Sequence, residues 1–171
     1  MRANLPEGWA SARLAELSVI LMGQSPPGST YNEKEEGLPF FQGKTDFAER
    51  SPKLRVWCSS PSRVAEPGDV LISVRAPVGP TNVADRTCAI GRGLAAIRPL
   101  GGIPTEWILH SLTYSGTELE EQATGSTFTA INRAVLESLE LAVPPLAEQR
   151  RIVTKVEALL DQEDMGTSVT C

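Results

Sequence analysis

Val143-Pro-Pro-Leu-Ala-Glu-Gln-Arg-Arg-Ile-Val153 is the stretch from which the organisation of the chain can be read. Directly before it, Leu139, Leu141 and Val143 alternate with Glu140 and Ala142, the period of a half-buried strand. Two prolines then end the strand, because proline has no N–H to give to a ladder and its fixed φ suits the first turn of a helix. From Leu146 the apolar residues Val153, Val156 and Leu160 follow at steps of seven, three and four, and Ile152 and Leu159 widen the stripe. Glu148, Arg150, Arg151, Lys155, Glu157 and Asp161 occupy the opposite face. This spacing predicts a helix from 146 to about 163. Periodicity alone leaves two readings open: a helix packed on its own domain, or a coiled-coil seam waiting for a partner helix.

Outward from that stretch, the texture is helical back to about residue 103. Pro104 can open a helix carrying Trp107, Ile108, Leu112 and Leu119 to about 122, with Gly125 as its stop, and a short helix is expected over 131–137. Further upstream, prolines and glycines punctuate the chain so densely that only short elements fit. A first helix is expected over 10–17, then the loop Gly23-Gln-Ser-Pro-Pro-Gly-Ser-Thr30. Strands are expected over 38–42, 69–75, 78–84 and 88–97, the second introduced by the turn Glu66-Pro67-Gly68. The fold class is therefore α+β: a short-stranded β core with flanking helices over 1–143, a coiled-coil-type helix over 144–164 and a tail over 165–171.

With 171 residues, 41% of them hydrophobic, the chain can build a core without staples. It has no apolar run long enough to span a bilayer, and residues 1–9 lack the apolar stretch of a secretory signal, so a cytoplasmic location is expected. Cys58, Cys88 and Cys171 are far apart, no C-x-x-C pair occurs, and His110 is the single histidine. No metal site or disulfide framework is expected, and Cys58 and Cys88 read as small apolar residues. The net charge of −5 weighs mildly against a nucleic-acid partner. Its distribution weighs the other way: residues 50–98 hold eight basic side chains against three acidic ones.

Five strings, in this order, carry a resemblance: Leu5-Pro-Glu-Gly-Trp9, Gly28-Ser-Thr30, Gly68-Asp-Val-Leu71, Gly125-Ser-Thr-Phe128 and the closing Val143–Val153 stretch. Together they resemble the target recognition module of type I restriction-modification specificity subunits, over roughly residues 5 to 162. The resemblance implies a non-enzymatic protein that binds double-stranded DNA and steers methyltransferase and restriction subunits to a split target. Such subunits are similar in having two recognition domains held apart by antiparallel helices that also dock the methyltransferase. This chain has one domain and one helix, so the expectation is a half-length subunit that pairs with itself through Leu146, Ile152, Val153, Val156, Leu159 and Leu160. The rival expectation is an assembly or interference protein that docks those partners without binding DNA.

For the DNA-reading role the expected contacts are amides, hydroxyls and cations on loops, since these pair with base edges and phosphates. They are Gln24, Ser29, Thr30 and Tyr31 in the first loop, Gln42, Lys44 and Thr45 after the first strand, and Arg75 and Arg92 at the ends of the central β segments. Ser126 and Thr127 are candidates for a phosphate, although Gly125 ending one helix and a hydroxyl capping the next account for the same string. No catalytic set is expected. Asp46, Asp69 and Asp85 show no pairing that spacing supports, and His110 reads as a helix-surface or packing residue. Gly91-Arg-Gly-Leu-Ala-Ala96 matches a dinucleotide fingerprint in letters only. Pro99, Gly101 and Gly102 leave no room for the helix it must open, so no cofactor is expected and the stretch reads as a strand with close backbone packing.

Overall fold

The computed structural model describes residues 4–124 and 130–167. Its centre is a four-stranded antiparallel sheet of β2 (Ser18–Met22), β10 (Leu94–Pro99), β7 (Val70–Ser73) and β8 (Thr81–Val83), in that order. Both faces of this sheet are covered, which is why Val70-Leu-Ile and Leu94-Ala-Ala-Ile read as continuous apolar runs. Val70, Ile72, Ala95, Ile97 and Ile20 point to a helical layer. That layer holds α1 (Leu14–Leu17), α2 (Thr105–Tyr114), α3 (Gly116–Thr124) and α4 (Arg133–Ser138). The alternate residues Leu71, Leu94 and Ala96 point instead to Phe41, Ala65, Cys88 and Ile90 of a second sheet. Its strands run β3 (Tyr31–Asn32), β5 (Trp57–Cys58), β4 (Leu38–Phe41), β9 (Cys88–Ile90) and β6 (Val64–Ala65), with β4 and β9 parallel. A fully buried Leu or Ile contributes about 1.5–3 kcal/mol, so the period of two along β7 and β10 fixes both layers at once.

Three sequence expectations need correcting. Residues 10–13 are not helical: β1 (Ala10–Arg13) pairs antiparallel with β11 (Glu140–Val143), and only Leu14–Leu17 forms a helical turn. A long-range strand partner overrides local propensity here. The expected helix over 104–122 is two helices, broken at Ser115, whose N–H reaches both Ser111 O and Thr113 O. Gly116 follows at the break and packs against Gly79, where a Cβ would sit 3.2 Å from the Gly116 Cα. The segment expected as one strand over 88–97 is β9 and β10, divided by the turn Gly91-Arg92-Gly93.

The helix predicted from the opening stretch is α5 (Leu146–Thr167), about one turn longer than the expected span of 146–163. Its stripe divides. Val153 packs against the helical core, and Gln149 is 2% exposed with its Nε2 donating to Pro144 O at 2.9 Å. Ile152 and Val156 are half-buried, whereas Leu146, Leu159 and Leu160 are exposed. The segments Leu5–Trp9 and Val143–Val153 meet at this junction, where Trp9 Nε1 donates to Glu148 Oε2 at 3.1 Å. No described helix is long and apolar enough to cross a membrane.

Candidate nucleic-acid interface

Gly91-Arg92-Gly93 is a turn that only small residues allow. A Cβ on Gly93 would fall 2.2 Å from Gln42 O, and one on Gly91 would crowd Phe40, Ser25 and Gln42 at 3.2–3.3 Å. The turn is tied to both sheets: Gly91 N–H donates to Phe41 O at 2.8 Å and Val74 N–H donates to Gly93 O at 2.9 Å. Arg92 N–H donates to Ser25 Oγ at 3.2 Å, so the main chain at Arg92 is fixed while its side chain is exposed. The close backbone packing expected of this stretch is present, but at Gly91 and Gly93 it belongs to a turn rather than to a strand.

Arg75 lies just past β7 on a similarly braced segment. Ile131 N–H donates to Val74 O at 2.9 Å, Ser73 Oγ donates to Arg75 O at 3.0 Å, and Arg75 forms a bridge with Ala130. Opposite, Gln42 and Gly43 N–H donate to Asp46 Oδ2 at 2.7 and 3.4 Å, which closes the short turn Lys44–Asp46. Between these segments opens a cleft of about 300 Å3. Gln42, Lys44, Thr45, Arg75 and Arg92 all line it, so five candidates spread over fifty residues of sequence converge on one surface. Ser25, Gly43, Ser73, Ala76, Pro77 and Gly93 complete the lining, and no carboxylate belongs to it.

Among the described residues, the cations of the cleft differ from six other arginines in what they touch, and share their lack of a carboxylate partner with Arg63, Arg150 and Arg151. Arg13, Arg50, Arg55, Arg86, Arg98 and Arg133 each meet a carboxylate. Lys44, Arg75 and Arg92 have no carboxylate partner among the described residues. The three aspartates for which spacing offered no partner all have one: Asp46 pairs with Arg55, Asp69 with Arg98 and Asp85 with Arg86. Arg86 holds the Asp85 carboxyl below its usual range through a side-chain hydrogen bond.

The other candidates lie apart. Thr30 Oγ1 donates to Pro27 O at 2.7 Å, and Tyr31 donates its hydroxyl to Pro26 O at 2.8 Å with its ring 4.7 Å from that of Phe40. Both side chains are engaged in shaping the first loop. Ser29 and Gln24 are exposed and do not line the cleft. Ser126 and Thr127 lie outside the described residues, which resume at Ala130 beside Arg75.

No group of three metal-ligating side chains occurs among the described residues. Burial pushes the Cys88 thiol up to about 12, which makes it a poor nucleophile, and Cys58 is buried as well. His110 Nε2 lies 2.7 Å from Glu157 Oε1 on α5. Arg50 joins the same carboxylate at 3.1 Å and Glu106 at 2.8 Å. Burial raises the Glu157 pKa, but hydrogen bonds from His110 and Arg50 outweigh it and leave the carboxyl below its usual range. Sequence reading missed this cluster, because its four members come from three separate segments with no shared motif.

Comparison with known proteins places this architecture. The putative type I restriction enzyme MjaX specificity subunit of Methanocaldococcus jannaschii is 39% identical over 161 residues, covering 92% of this chain and 38% of that protein. The solved HsdS subunit from Thermoanaerobacter tengcongensis superposes with a TM-score of 0.85 at 52% identity, over 94% of this chain and 39% of that one. The type I restriction-modification S subunit from M. genitalium shares the fold alone, with a TM-score of 0.70 at 16% identity over 98% of this chain and 42% of that one. This chain thus spans about two-fifths of the length of these relatives. Residues 6–165 match the type I restriction modification DNA specificity domain, and with strand pairing, double proline and α5 all inside that span, the chain belongs to this family.

Proposed function

We propose that this chain binds double-stranded DNA sequence-specifically through the cleft of Gln42, Lys44, Thr45, Arg75 and Arg92, as the specificity element of a restriction-modification complex. The observation that carries the reading is the convergence of Lys44, Arg75 and Arg92, none of them paired with a carboxylate, with Gln42 and Thr45 in one concave cleft that no carboxylate lines. Phosphates and guanine edges are the acceptors that such a wall suits. The chain has no catalytic role in this reading. Methyltransferase subunits, and through them the restriction subunit, carry the chemistry at the target.

α5 is the assembly element. Ile152, Val156 and Leu159 form one flank of the helix, and Leu146 and Leu160 extend the apolar surface. Two copies joined along that flank present two readers related by a two-fold axis, which requires a symmetric split target. Light scattering on the purified chain, alone and with its methyltransferase, tests the assembly: a dimer that recruits methyltransferase is expected, and a monomer that ignores it contradicts it. Salt titration of duplex binding tests the reader, with a log–log slope near −0.9 per phosphate neutralised. Methyltransferase binding without duplex binding at low salt would assign the chain to assembly or interference instead.

A further inference from the structure

The DNA-reading role proposed above is the premise of this step. On one wall of the cleft, Gln42, Lys44 and Thr45 leave β4 on a short turn, and two side chains hold its main chain. Asp46 is 8% exposed. Its Oδ2 accepts the Gln42 and Gly43 N–H groups at 2.7 and 3.4 Å, and its Oδ1 accepts from Arg55 Nη2. The same Arg55 nitrogen donates to Thr45 O at 3.2 Å. Lys53 N–H donates to Asp46 O at 2.9 Å and ties the segment carrying Arg55 back onto the turn. The pair therefore grips the wall at its start, through two N–H groups, and at its end, through a carbonyl. Gln42, Lys44 and Thr45 keep their side chains exposed.

A buried carboxylate is costly to desolvate unless it is paired and hydrogen-bonded, and here both oxygens are occupied. Gln42 is also confined from the far side, since its carbonyl lies where a Cβ on Gly93 would be 2.2 Å away. Neither Asp46 nor Arg55 lines the cleft. Side chains that read base edges must be held to within about 0.5 Å by neighbours that lock their mount. We propose that Asp46 and Arg55 are a positioning pair for base discrimination, holding the Gln42–Lys44–Thr45 wall in its reading geometry without touching DNA. Charge alone predicts something different. Asp46→Asn removes a negative charge and frees Arg55, which tightens binding to every duplex, whereas Arg55→Gln weakens it on every duplex. Loss of positioning lowers discrimination in both variants, although their charge changes are opposite.

The test begins with selection from a pool of randomised duplexes by the full chain. Affinities of wild type, Asp46→Asn and Arg55→Gln are then measured on the enriched target and on its single-base-pair substitutions, with urea unfolding to verify each fold. Both variants should lose about tenfold in discrimination at the positions that Gln42→Ala or Thr45→Ala relaxes, and none at those that Arg75→Ala relaxes. Adding Asp46→Asn to Gln42→Ala/Thr45→Ala should cost no further discrimination, because residues acting through one another are not additive. Wild-type discrimination in both variants, with affinity shifted uniformly and in opposite senses, overturns the inference while the DNA-reading role stands. So does a fully additive loss in the combined variant. If Asp46→Asn fails to fold, Arg55→Gln decides alone, since it leaves Asp46 its two main-chain donors. Enrichment of no sequence overturns the DNA-reading role itself.

Discussion

At one end of β10, Arg98 grips Asp69 with two hydrogen bonds of 2.8 Å, and Asp69 is 3% exposed and also accepts the Glu66 N–H at 2.9 Å. Just beyond the other end, Arg92 has a main chain held equally firmly and a side chain with no carboxylate to hold. The two arginines are six residues apart and equally visible in the sequence. One locks the turn Glu66–Asp69 to the central sheet, and the other projects into the cleft. The difference teaches that a basic stretch is not itself an interface. What marks the proposed interface is the end of the sheet where the fold supplies no counter-charge.

The contrast predicts where substitution costs stability and where it does not. Gly93→Ala has the largest effect, because the new Cβ would lie 2.2 Å from a carbonyl oxygen. A loss of about 3 kcal/mol or more is expected in urea unfolding, from strain at a site that cannot relax cheaply. A loss under 1 kcal/mol would show that the turn is softer than its contacts imply. Asp69→Ala removes both Arg98 bonds and strands the Glu66 N–H, for a loss of about 2 kcal/mol. Arg92→Ala should stay within about 0.5 kcal/mol of wild type in the same assay, as for a surface side chain. Equal losses for these two would erase the distinction between the ends of β10.

A smaller effect concerns the attachment of α5. The Glu157 carboxyl is depressed in the folded chain, so its contribution is fully present above its unfolded value of 4.5 and is lost as pH falls through the lower folded value. A partly exposed pair is screened, so the loss is about 0.5 kcal/mol or less. Comparing wild type with Glu157→Gln across that range should show the curves converging in acid; a constant gap would place the difference elsewhere.

Much of the framework was legible. The strands around Val70–Ser73 and Glu140–Val143 and the helix from Leu146 follow from periodicity and from proline and glycine positions, which are local signals. Five interface candidates converge because each stands beside a strand end, and strand ends of a layered sheet gather on common edges. The partners were not legible. Asp69 and Arg98 are 29 residues apart, Trp9 and Glu148 are 139 apart, and each pairing depends on sheet register that no local window encodes. Thr30 and Tyr31 have the chemistry of contact residues, but their hydroxyls go to carbonyls three and five residues upstream. The division of the α5 stripe was equally hidden, since periodicity places Val153 and Leu160 on one face and cannot say where the domain beneath them ends.

The most direct test of the central claim compares two triple variants that remove the same charge from different places. Lys44→Ala/Arg75→Ala/Arg92→Ala empties the cleft, whereas Lys34→Ala/Lys53→Ala/Arg63→Ala removes three exposed cations that do not line it. Duplex affinity would be measured for both at several salt concentrations. The account predicts that the cleft variant loses about a hundredfold or more at every salt, and the control about tenfold or less, with that loss fading as salt rises. Equal losses that vanish together at high salt would contradict it, and would reduce DNA binding by this chain to net charge.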